Sequence, residues 1–420
     1  MSRQVICTNW RQCASERTNR RAHAVNQIRI HRANIGWCGT VLAPNCSMRL
    51  GIASTFPPYR GGIAQFNAAM SSALCEMGHD VCQLTWKRQY PSMVFPGTSQ
   101  FEPGASLKDV NMPATLDSLN PLSWKTTGRQ LADRSDVVLL PFWHGALAPA
   151  LTGVAQEAKR RGVKKVYALM HNDSSHDGSV LDRRLTGRFL KTVDGVFTLS
   201  QPVSESLKAW GPHTLFHPLY DHHSNSIRPE EARRKLGLTD EDHVHLFFGL
   251  IRPYKGLSVL LEAMSTLPQH HVLVVAGECY GSWKPYAEAI AKFGLEDRVH
   301  IHAEFIDDHD VPVYFAAADN VVLPYLRASQ SGVTALALHH QKKVIASDVG
   351  DLSHTIVPEL TGRLVPANHP EALSEAMSKP WLTQPSDIQS AFKQIKKRLS
   401  WSAWATQLMQ QVELDLSAAR

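Results

Sequence analysis

The stretch Phe247-Phe248-Gly249-Leu250-Ile251-Arg252-Pro253-Tyr254-Lys255-Gly256-Leu257 decides how this chain is read. An apolar run gives way at Gly249, two cations follow in a loop stiffened by Pro253, and Gly256 precedes a helical pattern from Leu257 to Leu267. A strand that empties through a short cationic loop into a helix is one βα unit of a parallel sheet. Such a loop lies at the carboxyl edge of the sheet, where open α/β folds take their ligands. A guanidinium and an ammonium fixed there, Arg252 and Lys255, can stabilise a departing diphosphate without a metal. Two solvated surface cations are the competing reading; the loop position and the adjoining Gly256 favour a built site.

Units of the same kind extend in both directions. Upstream, Arg49 to Ser54, Val81 to Trp86, Asp136 to Phe142, Lys165 to His171 and Gly195 to Ser200 read as strands. Ala64 to Met77 and Leu147 to Arg161 read as helices, stopped by Gly78 and Gly162. Downstream, Val244 to Ile251, Val272 to Gly277, Val299 to Phe305, Asn320 to Tyr325 and Lys343 to Asp348 are strand candidates, with a helix from Tyr286 to Phe293. Phe216-His217-Pro218-Leu219-Tyr220-Asp221 and the polar, His-rich stretch after it read as a linker. Two amphipathic segments, Asp387 to Leu399 and Trp401 to Leu416, close the chain. The expected architecture is α/β: two Rossmann-like, doubly wound parallel-sheet domains, 48–221 and 222–400, facing one cleft, then a terminal helix, 401–420.

Composition narrows the function classes. The net charge of +6 is accounted for by residues 1–47, where seven Arg face the single acid Glu16. The remainder is neutral, so nothing supports general nucleic-acid binding. Four of the seven cysteines (Cys7, Cys13, Cys38, Cys46) also lie in that leader, without zinc-type spacing; Cys75, Cys82 and Cys279 are scattered. This pattern fits free thiols in a reducing compartment. The leader reads as a targeting peptide, a disordered basic arm or sequence upstream of a misplaced start, and Met48 before the first strand favours the last. No apolar run reaches the roughly 18 residues of a membrane span, so a cytoplasmic location with at most peripheral membrane contact is expected.

Two further loops carry chemistry. The first strand runs into Pro57-Pro58-Tyr59-Arg60-Gly61-Gly62, where Gly61 and Gly62 let backbone N–H groups approach an anion at a helix start. A tight turn is the plainer reading. Asn320 to Tyr325 leads into Ala328-Ser329-Gln330-Ser331-Gly332-Val333 and a helix, a second anion seat or a simple N-cap by Ser331. His171, followed by Asn172, ends a strand candidate; His144 is a weaker candidate. His339, His340, His222 and His223 read as surface or linker residues without chemistry.

Taken together, Phe56 to Gly62, His217 to Asp221, Phe248 to Leu257, Ser329 to Val333 and Ala346-Ser347-Asp348-Val349-Gly350 resemble, in order, the retaining family 4 glycosyltransferases of the GT-B fold. The resemblance implies that the second domain binds a UDP- or GDP-sugar, with Arg252 and Lys255 on its diphosphate. Gly61, Gly62, Gly249, Ser329, Gln330, Ser331, Gly332 and Val333 would complete the donor site. Arg60 and His144 would lie on the side of a saccharide or lipid-linked acceptor. His171 would face the donor sugar, the last helix would cross back to the first domain, and neither a metal nor a cofactor beyond the sugar nucleotide would be needed.

The chain departs from that family in one respect that bears on chemistry. A pair of glutamates common around the third motif falls here on Ala328 and Leu336, or on Ser329 and Ala337, and neither alignment supplies a carboxylate. Ser329 and Gln330 are the candidate substitutes. Gln341-Lys342-Lys343 also replaces the usual Gly-Lys-Pro, and Asp351 and His354 stand where Gly and Glu are frequent. Three readings follow: retaining sugar transfer, a weakened GT-B scaffold that binds sugar or nucleotide, and another reaction such as phosphorolysis or epimerisation on the same architecture.

Overall fold

Val137-Val138-Leu139-Leu140-Pro141-Phe142 is buried along its whole length, as is His271-Val272-Leu273-Val274-Val275-Ala276. Runs without polar alternation belong in sheets covered on both faces, which in practice means parallel sheets with crossover helices. The computed structural model describes residues 47–90, 100–102, 104–172, 180–220, 227–329 and 331–418. It places the first run at the centre of one parallel sheet and the second inside another, one strand from its edge, within one compact unit, Cys46–Arg420.

The first sheet comprises β1 (Arg49–Ala53), β2 (Asp80–Arg88), β3 (Ala114–Asp117), β4 (Val137–Phe142), β5 (Lys165–Met170), β6 (Gly195–Thr198) and β7 (His213–Thr214), in the order β3-β2-β1-β4-β5-β6-β7. The second comprises β8 (His243–Phe248), β9 (His271–Ala276), β10 (Val299–His302), β11 (Asn320–Leu323), β12 (Lys343–Ser347) and β13 (Gly362–Val365), in the order β10-β9-β8-β11-β12-β13. Strand order reverses between β1 and β4 and again between β8 and β11. Each reversal opens a crevice beyond the carboxyl ends of the strands.

The helices of the first lobe are α1 (Gly62–Glu76), α2 (Pro121–Arg134), α3 (Ala148–Arg160), α4 (Val180–Leu190) and α5 (Gln201–Ser206). Those that follow are α6 (Pro229–Lys235), α7 (Leu257–Ser265), α8 (Lys284–Phe293), α9 (Val311–Ala317), α10 (Gly332–His339), α11 (Leu352–Thr355), α12 (Pro370–Ser378), α13 (Pro385–Arg398) and α14 (Trp401–Ser417). Both faces of each sheet carry an apolar core. In the first lobe one of these is completed by the end of the chain: Trp401, Trp404, Leu408 and Val412 of α14 pack with Leu50, Phe66 and Met70. The Phe66 ring lies edge-on to Trp401 and Trp404, at 4.9 and 5.7 Å. The chain thus passes between lobes twice, and Leu219 N donates to Leu399 O where the two passages run side by side.

Several expected boundaries move. The readings to Ile251, Phe305, Tyr325 and Asp348 overshoot their ladders, which end at Phe248, His302, Leu323 and Ser347. Buried apolar residues continue past the strand ends: Ile251, held by an isolated parallel bridge to Cys279, and Tyr325 pack under the loops. His339 is not a surface residue: it is 5% exposed, on the inner side of α10, with the His340 ring beside it and stacked on Phe315. An alanine- and leucine-rich helix has little polar surface to present, so its terminal histidine is drawn inward. Residues 1–46, Asp221, His222, His223 and Gln330 lie outside the described residues.

Candidate active site

Both switch points face one cavity of about 390 Å³. Arg60, Gly61, Gly62, Gly249, Lys255, Gly332 and Val333 line it. Gly61 is the N-cap of α1, with φ +101°, a conformation that excludes most side chains. Gly62 and Gly332, the first residues of α1 and α10, both abut Tyr220: a Cβ at Gly62 would lie 3.0 Å from its hydroxyl, and one at Gly332 would lie 3.3 Å from its ring. Two helix N-termini therefore converge on the same space, each presenting first-turn N–H groups and the positive end of its dipole. At α10, Ser331 Oγ accepts from Thr334 N at 3.2 Å, so the N-cap is real and sits beside the cavity.

The cationic loop is a 3-10 turn over Pro253–Lys255 that ends on Gly256 at φ +71°. A Cβ on Gly256 would come within 1.9 Å of Pro324 O, so only glycine permits the β8 and β11 loops to touch. This turn holds the Lys255 ammonium over the Tyr325 ring, at 5.5 Å, and 3.4 Å from where a Cβ of Gly249 would stand. Burial brings the Lys255 pKa down to about 8, with the Arg252 charge adding to the effect. Arg252 is half-buried, its guanidinium 5.0 Å from the centre of the Tyr280 ring, and that ring lines the cavity. Lys255 reaches the cavity directly, and Arg252 stands one ring behind it.

Other sequence candidates fall outside this space. His171 is 2% exposed, edge-on to Phe66 at 4.8 Å, and does not line the cavity. Burial, with His217 as the smaller cause, lowers its pKa to about 3 and keeps the ring neutral. His144 caps the turn Gly145–Leu147, where its Nδ1 accepts from Ala146 N at 3.1 Å. Ser329 Oγ donates to Asn172 Oδ1 at 3.1 Å, joining the loop after β11 to the one after β5. Of the two alignments of the glutamate pair, the first places Leu336 on the cavity wall; in the second, Ala337 is fully buried in the core.

Sequence reasoning missed the acidic side of the cleft. Glu278, just beyond β9, accepts from Arg60 Nη2 at 2.8 Å, and the same guanidinium lies 4.2 Å above the Phe305 ring. Gln65 Nε2 donates to both oxygens of Asp308, at 2.8 and 2.7 Å. These bonds tie α1 and its preceding loop to the second lobe. The position of Glu278 directly after a strand end was the one signal that marked it. A larger groove of about 730 Å³ lies between α2 and α3 and shares no lining residue with this cavity.

Comparison with known proteins agrees with this geometry. The family described as "Glycosyl transferases group 1" matches residues 242–381, and "Glycosyl transferase 4-like domain" matches residues 61–215. The chain belongs to the group 1 glycosyl transferases. Family 4 membership and the two-domain GT-B fold implied by the sequence are thereby shown. Among curated relatives, D-inositol 3-phosphate glycosyltransferase of Mycolicibacterium gilvum is 31% identical over 175 residues, 41% of this chain and 39% of the relative. The D-rhamnosyltransferase WbpZ of Pseudomonas aeruginosa is 30% identical over 60% of this chain and 66% of its own length. The match thus spans about two-fifths of the inositol-phosphate enzyme. Among solved structures, HepE of Anabaena in complex with UDP superposes with a TM-score of 0.68 at 15% identity, over 87% of this chain and 100% of that one. Sucrose-phosphate synthase from Thermosynechococcus elongatus gives 0.64 at 20% identity, over 89% and 100%. These two likenesses concern the fold. Among the described residues, no helix is long and apolar enough to cross a membrane.

Proposed function

We propose that this protein transfers a sugar from a UDP- or GDP-sugar to a saccharide or lipid-linked acceptor, with retention at the anomeric carbon. One observation carries the reading: the N-termini of α1 and α10 and the ammonium of Lys255 converge on a single interlobe cavity. A diphosphate seated there would meet helix dipoles, backbone N–H groups and a desolvated cation, all placed before the reaction begins. Arg252, behind Tyr280, adds long-range positive potential. The bond from the anomeric carbon to the β-phosphate oxygen breaks as the acceptor oxygen attacks on the same face. The acceptor proton passes to the departing diphosphate, so no protein base is required and no metal is assigned to the cleft. Relatives whose names specify glycosyl, rhamnosyl and mannosyl transfer support the reaction class.

A binding scaffold with little turnover is the second reading, favoured by Leu336 on the cavity wall where the family's carboxylate would stand. Calorimetry with UDP, GDP and ADP, followed by donor hydrolysis and transfer assays, separates the two. Transfer reads as tight binding of one nucleoside diphosphate together with turnover of its sugar conjugate. Tight binding without release of nucleotide would replace it with the scaffold, and no binding by any of the three would remove both.

A further inference from the structure

At the opposite, amino-terminal edge of the second sheet, three imidazoles gather far along the strands from the cleft. His243 and His245 alternate on β8 and so share a face; His271 is the register partner of His243 on the neighbouring β9. One ring nitrogen from each lies within 4.8 Å of the other two. His245 Nε2 and His271 Nδ1 are already 2.9 Å apart in nearly coplanar rings, and the His243 ring is centred 4.9 Å from each of theirs. His245 is fully buried, His271 is 5% exposed and His243 is half-buried.

We propose that His243, His245 and His271 bind one divalent transition-metal ion of the zinc type as a structural site of the second lobe. Three neutral imidazoles supplied by two adjacent strands match the borderline-soft, nitrogen-rich preference of such an ion, and water from the half-buried side would complete a tetrahedron. The His245–His271 contact uses one proton between two nitrogens; an ion placed there takes both lone pairs, and the shared proton moves to the outer nitrogen of its own ring. His245 Nδ1 is buried without a hydrogen-bond partner, so Nε2 is the nitrogen through which this ring makes its contact, with His271 or with an ion.

His243 is the ligand whose bonding changes. Its Nε2 accepts from Asn320 Nδ2 at 3.0 Å, and Asn320 is oriented by Trp381 Nε1, which donates to its Oδ1 at 3.2 Å. A neutral ring has one lone pair, so coordination exchanges the Asn320 bond for one to the ion. Asp319, bonded to Val244 N and to Arg233, supplies negative charge nearby, while Arg298, with Nη atoms on three backbone carbonyls, opposes it.

The test uses the full chain, stripped with chelator and titrated with zinc and with cobalt(II). The proposal expects one ion per chain, a rise in melting temperature of several degrees, and cobalt absorption of a tetrahedral nitrogen-rich site. His245→Gln with His271→Gln should abolish all three. Because those variants disturb a core, absorption-edge spectroscopy of the zinc-loaded wild-type chain gives an independent answer: nitrogen scatterers near 2.0–2.1 Å support the site, and sulfur near 2.3 Å assigns the ion to cysteines and overturns it. Absence of stoichiometric binding, or binding that survives the double substitution, overturns the proposal. His309→Gln, in the exposed group Asp307, His309 and Asp310, should leave the signal unchanged; its loss there would also move the ion elsewhere.

Discussion

Lys255 is a buried cation on the wall of the cleft. Its ammonium is removed from water and aimed at the cavity, so a bound diphosphate relieves the burial penalty that lowers its pKa. A charge-assisted hydrogen bond contributes about 1.5–3 kcal/mol, so Lys255→Ala should weaken nucleoside diphosphate binding by roughly 10- to 100-fold, as measured by calorimetry. The pH dependence has a definite sign. Below about 8 the ammonium is present and binding needs no proton; above it, binding must take one up, and affinity should fall by as much as about tenfold per unit. Without ligand the opposite linkage holds: between about 8 and the ordinary 10.5 the unfolded chain binds the extra proton, so stability should rise with pH across that window. Nucleotide titrations and chemical denaturation at several pH values check the two trends separately.

The elements that build the cleft do so by their ends. Ser331 closes the N-terminus of α10 through its bond to Thr334 N, and losing such a cap costs about 0.5–2 kcal/mol. Ser331→Ala should therefore lower the melting temperature modestly and loosen the same turn that receives the anion, an effect visible as weaker nucleotide binding by calorimetry. Trp404 of α14 is fully buried among Phe66, Trp401 and the first-lobe strands. Trp404→Ala should cost about 3–5 kcal/mol by cavity formation, measured by denaturant unfolding.

Elements were legible in the sequence where an apolar run is bracketed by glycines, as at β8 and α7 or β4 and α3. Three short strands at sheet margins were not read: β3, β7 and β13 span four, two and four residues. Such segments owe their extended form to the neighbour they pair with, which no local pattern encodes. Strand ends were over-read because buried residues such as Ile251 and Tyr325 belong to loops that fold under the cleft. The cations announced themselves through the loop that holds them; the acids that face Arg60 and Gln65 lie 218 and 243 residues away and are visible only once the lobes meet.

At the scale of the whole molecule, two lobes joined by paired passages at Leu219 and Leu399 are held across the cleft by a few polar contacts. The Arg60–Glu278 pair is largely shielded, with 14% and 21% of the side chains exposed. Arg60→Ala would leave Glu278 without its partner inside the cleft, a larger perturbation than the loss of a surface ion pair. The expected outcome is a broader interlobe distance distribution between spin labels on α3 and α8, narrowing again when nucleotide binds. The measurement that bears most directly on the account is a crystal structure of the chain with UDP or GDP. The diphosphate should lie against Gly332 and Val333 at the start of α10, with Lys255 Nζ within hydrogen-bonding distance of a phosphate oxygen. A nucleotide seated away from both, with Lys255 still turned to Tyr325, would contradict it.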